Sequence, residues 1–585
     1  MEKVETWNEI YKTHPVRKNL TDFLPFGEQD YVLYSAEKGN PLVMEDLLAQ
    51  REEKGCNYIV IACDNKYALK MFAGSADETQ HFFSGMEADE QNRRTYSRAE
   101  LENMMKRAGI VEYRFFYPYP NYQLPLAVYS DSYQPKMGEL TNNFRNFGVD
   151  RAVLFDESKA WDQVVKDGLF TTFTNSFLLV IGPEIKWENG EVIFSKFSND
   201  RAPRYNIRTD IIEESGKRKV LKSPIGQEAS SHIASLQKWY EALSEAYPGV
   251  QFNRCVKKEN LVELEYLTGT TLDEVLIGLL QQKEQERFMD MVKTYVHTVL
   301  HSENPNLLDV DMIFKNILVT EDGSWTVLDY EWTFDKEHPD DREQAGMDFV
   351  QELTPEFVIY RSMYYFAQDN QLSAEIQNQL FSLINLTEEK KKEFDELEQK
   401  FQAYVSQGHR SLGQLYGQYR GELFYFNDYI KQMADEMKIE LYALRDGKRI
   451  KTISESHLIT TGDLREIRLY TEETWDEIEV VLGHCDMIAD ILEITLDGQD
   501  ILEGYTTNGK WFYQNLHLYI HQQGEPKIFI KLPQTQGKLQ MKFMIKQQGD
   551  GKSAAFATLY HYLSLKERES TPVGKIKKMI KRGQK

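Results

Sequence analysis

The chain has 585 residues, enough for roughly three or four domains, and its 41% hydrophobic and 12% aromatic content can fill several cores. A formal net charge of −23 excludes general nucleic-acid binding, which needs a basic face to neutralise phosphates. Four scattered cysteines (Cys56, Cys63, Cys255, Cys485), no signal-peptide pattern and no apolar run of membrane-spanning length predict a reduced cytoplasmic protein.

In chain order, Tyr31-Val32-Leu33-Tyr34 reads as a strand. A helix follows from Val43 to Glu53, then a strand from Asn57 to Ala62. A doubly wound cofactor domain needs a Gly-rich turn after its first strand and an acidic residue at the end of its second. Ser35-Ala36-Glu37-Lys38-Gly39-Asn40 holds one glycine, and the further strand–helix units expected before Asn57 are missing. Residues 1–183 thus read as a shortened Rossmann-like domain that packs on its neighbour or positions an acceptor. Asp64-Asn65 and Phe116-Tyr117-Pro118-Tyr119-Pro120 could line a pocket, although such segments are more often packing surface.

Residues 205–212 read as a strand, 213–217 as a turn and 218–222 as the return strand, ending on Lys222. A helix is predicted from Gln227 to Leu243. Glu228, in its first turn, is the expected carboxylate partner of Lys222, with Glu241 in reserve. Upstream, Ser198-Asn199-Asp200-Arg201 occupies the place of a phosphate loop without being Gly-rich; such a turn can offer backbone N–H groups and the Arg201 cation. Glu265, in the strand Leu261–Leu267 before Thr268-Gly269, marks a hinge whose backbone would hold an adenine.

Asp311 and Asn316, five positions apart, precede the apolar run Ile317-Leu318-Val319. Glu321-Asp322-Gly323-Ser324 turns the chain, and Trp325 to Leu328 return it to Asp329. This is the layout of a kinase-type phosphotransfer site. Asp311 would take the proton of the attacking hydroxyl, and Asn316 and Asp329 would hold Mg²⁺ against the phosphates of ATP.

Ser198-Asn199-Asp200-Arg201-Ala202-Pro203, the Lys222 strand, Glu228-Ala-Ser-Ser-His-Ile233, Glu265-Tyr-Leu-Thr-Gly269, Asp311…Asn316 and Asp329-Tyr-Glu-Trp332 together resemble the kinase half of bifunctional methyltransferase–kinases of bacterial surface-polysaccharide (O-antigen) biosynthesis. That half also resembles the aminoglycoside-phosphotransferase branch of the kinase fold. His14-Pro-Val-Arg-Lys-Asn-Leu20, Ile59 to Asn65, Arg94-Thr-Tyr-Ser-Arg98 and Phe116 to Pro120 are similar to the class I S-adenosylmethionine methyltransferase part of the same family. The resemblance implies a glycan or lipid-linked glycan acceptor; with the cofactor turn missing, S-adenosylmethionine is not expected.

Residues 340–435 read as helical. Phe394, Leu397, Phe401, Tyr404 and Val405 share one face of a helix capped by Thr387. From about residue 440, short strand candidates separated by Gly, Asp and Asn turns predict a β-sandwich. They are Ile439–Ala443, Ile467–Tyr470, Glu477–Leu482, Ile491–Leu496, Trp511–Tyr513, Leu516–Ile520, Ile528–Leu532 and Leu539–Ile545. Its aromatic residues are more often core than a sugar-binding face. Lys575 to Lys585 form a short basic amphipathic segment, read either as a dock for anionic lipid or an acidic partner, or as a solvated tail.

The expected architecture is therefore multidomain α/β and α+β. A truncated methyltransferase-like region (1–183) precedes a bilobal kinase-like domain (184–440), a β-sandwich (441–550) and a basic tail (551–585). The leading functional expectation is an ATP- and Mg²⁺-dependent phosphotransferase, cytoplasmic and peripheral to the inner membrane face if the tail docks there. A non-catalytic scaffold and, behind it, a working methyltransferase are the alternatives.

Overall fold

The computed structural model describes residues 13–36, 41–75, 86, 95–141, 151–320, 322–337, 348–419, 421–436, 438–457, 464–511, 518–521, 525–533 and 536–549. The fold is mixed α/β with several sheets, and the chain divides into two compact units, Met1–Phe424 and Tyr425–Lys585. The basic segment Lys575–Lys585, the stretch Phe512–His517 and Arg94 lie outside the described residues. Among the described residues, no helix is long and apolar enough to cross a membrane.

The first unit is organised by one ten-stranded sheet. Its strands run in the order Tyr31–Ser35, Tyr58–Asp64, Ser176–Ile181, Tyr113–Tyr119, Ala127–Ser130, Glu191–Ser198, Ile207–Glu214, Lys217–Pro224, Val262–Glu265 and Cys255–Lys257. The first two strands are parallel and joined through the helix Met44–Lys54, a single strand–helix–strand unit. Every later pairing in the sheet is antiparallel.

The sheet crosses the boundary expected at residue 183. The strands before and after residue 183 belong to one ladder system, joined where Ala127 and Val128 pair with Lys196 and Ser195. The core beneath the first half of the sheet accordingly takes in Phe197, Ile212 and Leu221 from the second half.

A second core in the same unit lies among the helices that follow. Helix Ser230–Ala246 buries Ile233, Leu236, Trp239 and Leu243, a three-and-four spacing that turns one stripe inward. Helix Glu388–Ser406 buries Phe394, Leu397, Phe401 and Tyr404, and the Thr387 side chain caps it by accepting the Lys390 N–H, as its sequence predicts.

The second unit contains two antiparallel sheets. One runs Lys448–His457, Lys438–Arg445, Glu477–Val481, Lys527–Lys531, Tyr505–Thr507; the other runs Leu464–Tyr470, Lys538–Gly549, Asp486–Leu496, Leu518–His521, Lys510–Trp511. Leu441, Ile478 and Ile530 of the first share a buried core with Met487, Ile491, Met541 and Phe543 of the second. Apolar residues that point inward from both sheets supply this core. The helix Phe426–Glu436, grouped by sequence with the preceding helices, falls in the second unit.

Candidate functional site

The site grows from a short, tightly braced loop. Strand Leu307–Asp309 pairs with Thr333–Asp335, and the chain between them passes through Asp311, the 3₁₀ turn Phe314–Asn316 and the hairpin Ile317–Val319/Trp325–Val327. The Thr320 hydroxyl and the Ser324 N–H both donate to the Asp322 carboxylate, closing the hairpin turn. Leu328 N–H donates to the Asn316 carbonyl at 2.8 Å, which returns Asp329 beside Asn316. The Asn316 amide donates to the Asp311 carbonyl at 2.9 Å, leaving the Asn316 Oδ1 as an acceptor. Helices hold the loop from outside: Tyr295 donates to Met312 O at 2.8 Å, and Phe314 N–H donates to the Ser362 hydroxyl at 3.0 Å.

Lys222 reaches this loop from the end of its strand. Its ammonium lies 2.7 Å from Asp329 Oδ1 and 3.5 Å from Glu331 Oε1. Arg201 donates to Glu331 Oε2 at 2.9 Å, and His232 Nε2 stands 3.3 Å from the same oxygen. The Arg201 guanidinium also lies over the Trp332 ring. Across the loop, Arg361 donates to Asp311 Oδ1 at 2.7 Å and to the Val310 carbonyl at 3.0 Å, while its Nε meets Glu398 at 3.0 Å.

Four sequence expectations change on this geometry. Glu228 is exposed in the 3₁₀ turn Gln227–Ala229 and does not meet Lys222, because the helix proper begins at Ser230 and turns His232 inward instead. Glu241 pairs at the surface with Gln237. Asn199 is buried and exchanges side-chain hydrogen bonds with Asn19, at 2.6 and 3.1 Å, so its amide is engaged by the amino-terminal segment. The backbone N–H and carbonyl of Glu265 are both bonded to the Asn253 side chain, at 3.2 and 3.0 Å, rather than turned outward as an adenine-binding hinge requires. Ser198 contributes its carbonyl, which accepts from Arg201 Nε at 3.1 Å. Asp311, Asn316, Asp329, Lys222 and Arg201 do come together.

Three participants escaped the sequence reading: Glu331, His232 and Arg361. The signal for Glu331 is its position two residues beyond Asp329, which in an extended segment puts both carboxylates on one side. His232 and Arg361 carry no local signal.

The electrostatics follow from burial. Burial opposes a charge on Glu331, but Arg201, Lys222 and His232 outweigh it and hold the carboxyl well below its ordinary value. Burial likewise opposes a charge on Lys222, and Asp329 and Glu331 reverse that, raising its pKa. Burial pushes the Asp311 carboxyl up while Arg361 pulls it down, with a net rise. Asp309 is 1% exposed; its Oδ1 accepts the Asp311 N–H at 3.0 Å and its Oδ2 has no hydrogen-bond partner. Burial and the neighbouring Asp311 push the Asp309 carboxyl well above its ordinary value.

The residues proposed to line a pocket in the first third are engaged internally. Asn65 donates to the carbonyls of Thr172 and Thr174, Asp64 pairs with Lys70 at 2.7 Å, and Tyr117 donates to Asp131 at 2.5 Å. None of the four cysteines is in a disulfide.

No protein-family model matches this chain, and no curated protein matches it either.

Proposed function

We propose that the first unit is an ATP- and Mg²⁺-dependent phosphotransferase of kinase-like, bilobal organisation, acting on a hydroxyl of a glycan or lipid-linked glycan. One observation carries this reading: Lys222 and Asp329, 107 positions apart, meet at 2.7 Å beside a loop that also presents Asp311 and Asn316. A strand-borne cation, two oxygen ligands and a carboxylate on one loop are the minimum set for phosphoryl transfer. The antiparallel strands from Glu191 to Glu265 with helix Ser230–Ala246, followed by the helical core, support a two-lobed arrangement.

The donor set suits the metal. The Asn316 side-chain Oδ1 and the Asp329 carboxylate are hard oxygen ligands of the kind Mg²⁺ takes, alongside phosphate oxygens. Bound Mg²⁺ would neutralise charge on the transferring phosphoryl group. Lys222 would move from Asp329 onto the phosphates, still steadied by Glu331. Asp311, with Oδ1 held by Arg361, would offer Oδ2 to the acceptor hydroxyl. The resemblance to methyltransferase–kinases of O-antigen synthesis supplies the acceptor class. In this reading residues 1–183 serve packing and acceptor placement, and no S-adenosylmethionine is used.

A second reading has its own support. Asp329 and Asp311 already carry cation partners, Lys222 and Arg361, so the cluster is balanced without ligand. That is the state expected of a scaffold that has given up nucleotide. Thermal unfolding of the wild type and Asp329→Ala, with and without Mg-ATP, separates the two. A ligand that binds only the folded state adds about 2.7 kcal/mol at a hundredfold excess over Kd. The phosphotransferase reading expects a Mg²⁺-dependent rise in the wild type that the variant loses. No rise in either protein assigns the unit to the scaffold.

A further inference from the structure

His14, Asp200 and His409 belong to three segments of the first unit far apart in sequence, yet one ligand atom from each lies within 4.8 Å of the others. His14 precedes the 3₁₀ helix Pro15–Lys18, where its Nδ1 accepts a long 3.4 Å contact from Val16 N–H. Its side chain is only 5% exposed. His14 Nε2 has no hydrogen-bond partner, and it faces Asp200 Oδ1 at 4.0 Å, beyond hydrogen-bond range. His409 follows Gln407 and Gly408, both at positive φ, just past the end of helix Glu388–Ser406; its Nε2 is also buried without a partner. The Asp200 carboxylate is aimed by the Leu412 N–H, 2.7 and 2.9 Å from its two oxygens.

Two buried imidazole nitrogens left unsatisfied around one carboxylate are an arrangement that folding disfavours unless something completes it. We propose that His14, Asp200 and His409 bind a zinc ion through the two Nε2 atoms and a carboxylate oxygen. Two imidazoles and one carboxylate form a borderline-soft set, matched to Zn²⁺ rather than to an oxygen-seeking Mg²⁺. Three protein ligands leave the fourth tetrahedral position to solvent. Zn–N and Zn–O bonds of about 2.0–2.2 Å place tetrahedral donors about 3.3 Å apart, so the three side chains draw together on binding. The glycine-bearing loop before His409 allows this. His14 then carries its proton on Nδ1, and the Val16 contact is the one hydrogen bond given up.

The ion ties the amino-terminal segment and the end of helix Glu388–Ser406 to Asp200. Asp200 adjoins Arg201, so zinc also steadies the guanidinium that holds Glu331. Nothing in this assignment depends on the phosphotransferase reading.

The test uses the full chain, stripped with chelator and titrated with Zn²⁺, beside His409→Ala and His14→Gln. The expected result is one zinc per wild-type chain, a raised unfolding midpoint, and a loss of affinity of roughly tenfold or more in each variant. The metal-free variants should unfold close to the metal-free wild type. Absence of zinc binding by the wild type overturns the assignment, as does undiminished, wild-type affinity in both variants. Should a variant fail to fold, the Co²⁺-loaded wild type decides. A tetrahedral d–d spectrum without thiolate charge transfer supports the site; thiolate bands, or the weak absorption of six-coordinate Co²⁺, sink it.

Discussion

On the proposed phosphotransferase reading, Asp311→Asn is expected to lower acceptor phosphorylation by about 10²–10⁴-fold and to leave a Mg-ATP-induced rise in unfolding midpoint in place. The factor is that of losing a positioned general base. Asparagine keeps the shape of the side chain and the backbone carbonyl that Asn316 uses, so the proposed metal-ligand pair, Asn316 and Asp329, stays assembled. Arg361 loses an ion partner but retains Glu398 and the Val310 carbonyl, which limits the structural damage. The measurement is ADP release with and without acceptor, paired with the thermal shift. Equal rates in the variant and the wild type would remove Asp311 from the chemistry.

Glu331→Gln destabilises the first unit by about 3–5 kcal/mol near neutral pH, the cost of removing one partner from a buried ion network. Lys222 keeps Asp329, but Arg201 and His232 then share a neutral amide oxygen in place of a carboxylate, and the amide NH2 replaces the oxygen that faced Lys222. The pH dependence has a definite sign. Glu331 has its pKa depressed in the fold, so its stabilisation is complete above the unfolded value of about 4.3 and fades as pH falls through the lower folded value. Lys222 is shifted the other way, so its contribution is complete below about 10.4 and fades as pH rises. The difference between wild type and variant should thus be largest between about pH 5 and 10 and shrink in acid. Urea unfolding at several pH values reads this directly. A difference below about 1 kcal/mol at pH 7 would show that the network carries little stability.

What the sequence disclosed were the features encoded locally. The hairpin that returns Asp329 to Asn316 has its turn residues and apolar strands within one short segment, and the structure places strands at Ile317–Val319 and Trp325–Val327. Lys222 lies in the strand Lys217–Pro224 and Thr387 at a helix cap, both set by neighbouring residues. Much of the second unit was readable from short apolar strand patterns, although Lys448–His457 and Tyr505–Thr507 were not among the strands expected. Glu331, His232 and Arg361 were not legible, since each gains its role from a partner 50 to 130 positions away. Glu228 was a misplacement by one helical turn: the 3₁₀ turn delays the helix to Ser230. The ladder that runs past residue 183 was not legible for a related reason: the pairing of Ala127–Ser130 with Glu191–Ser198 leaves no mark in local composition.

That shared ladder governs how the protein can be taken apart. Cutting the chain at residue 183 and separating the pieces would strip the Ala127–Ser130 strand from Glu191–Ser198, exposing two unpaired borders flanked by Val128, Val192 and Phe197, all buried in the intact unit. Bare, apolar strand borders recruit other chains. The amino-terminal third is therefore no portable module: shuffled, swapped or expressed alone, it would carry an adhesive seam, and so would the part left behind.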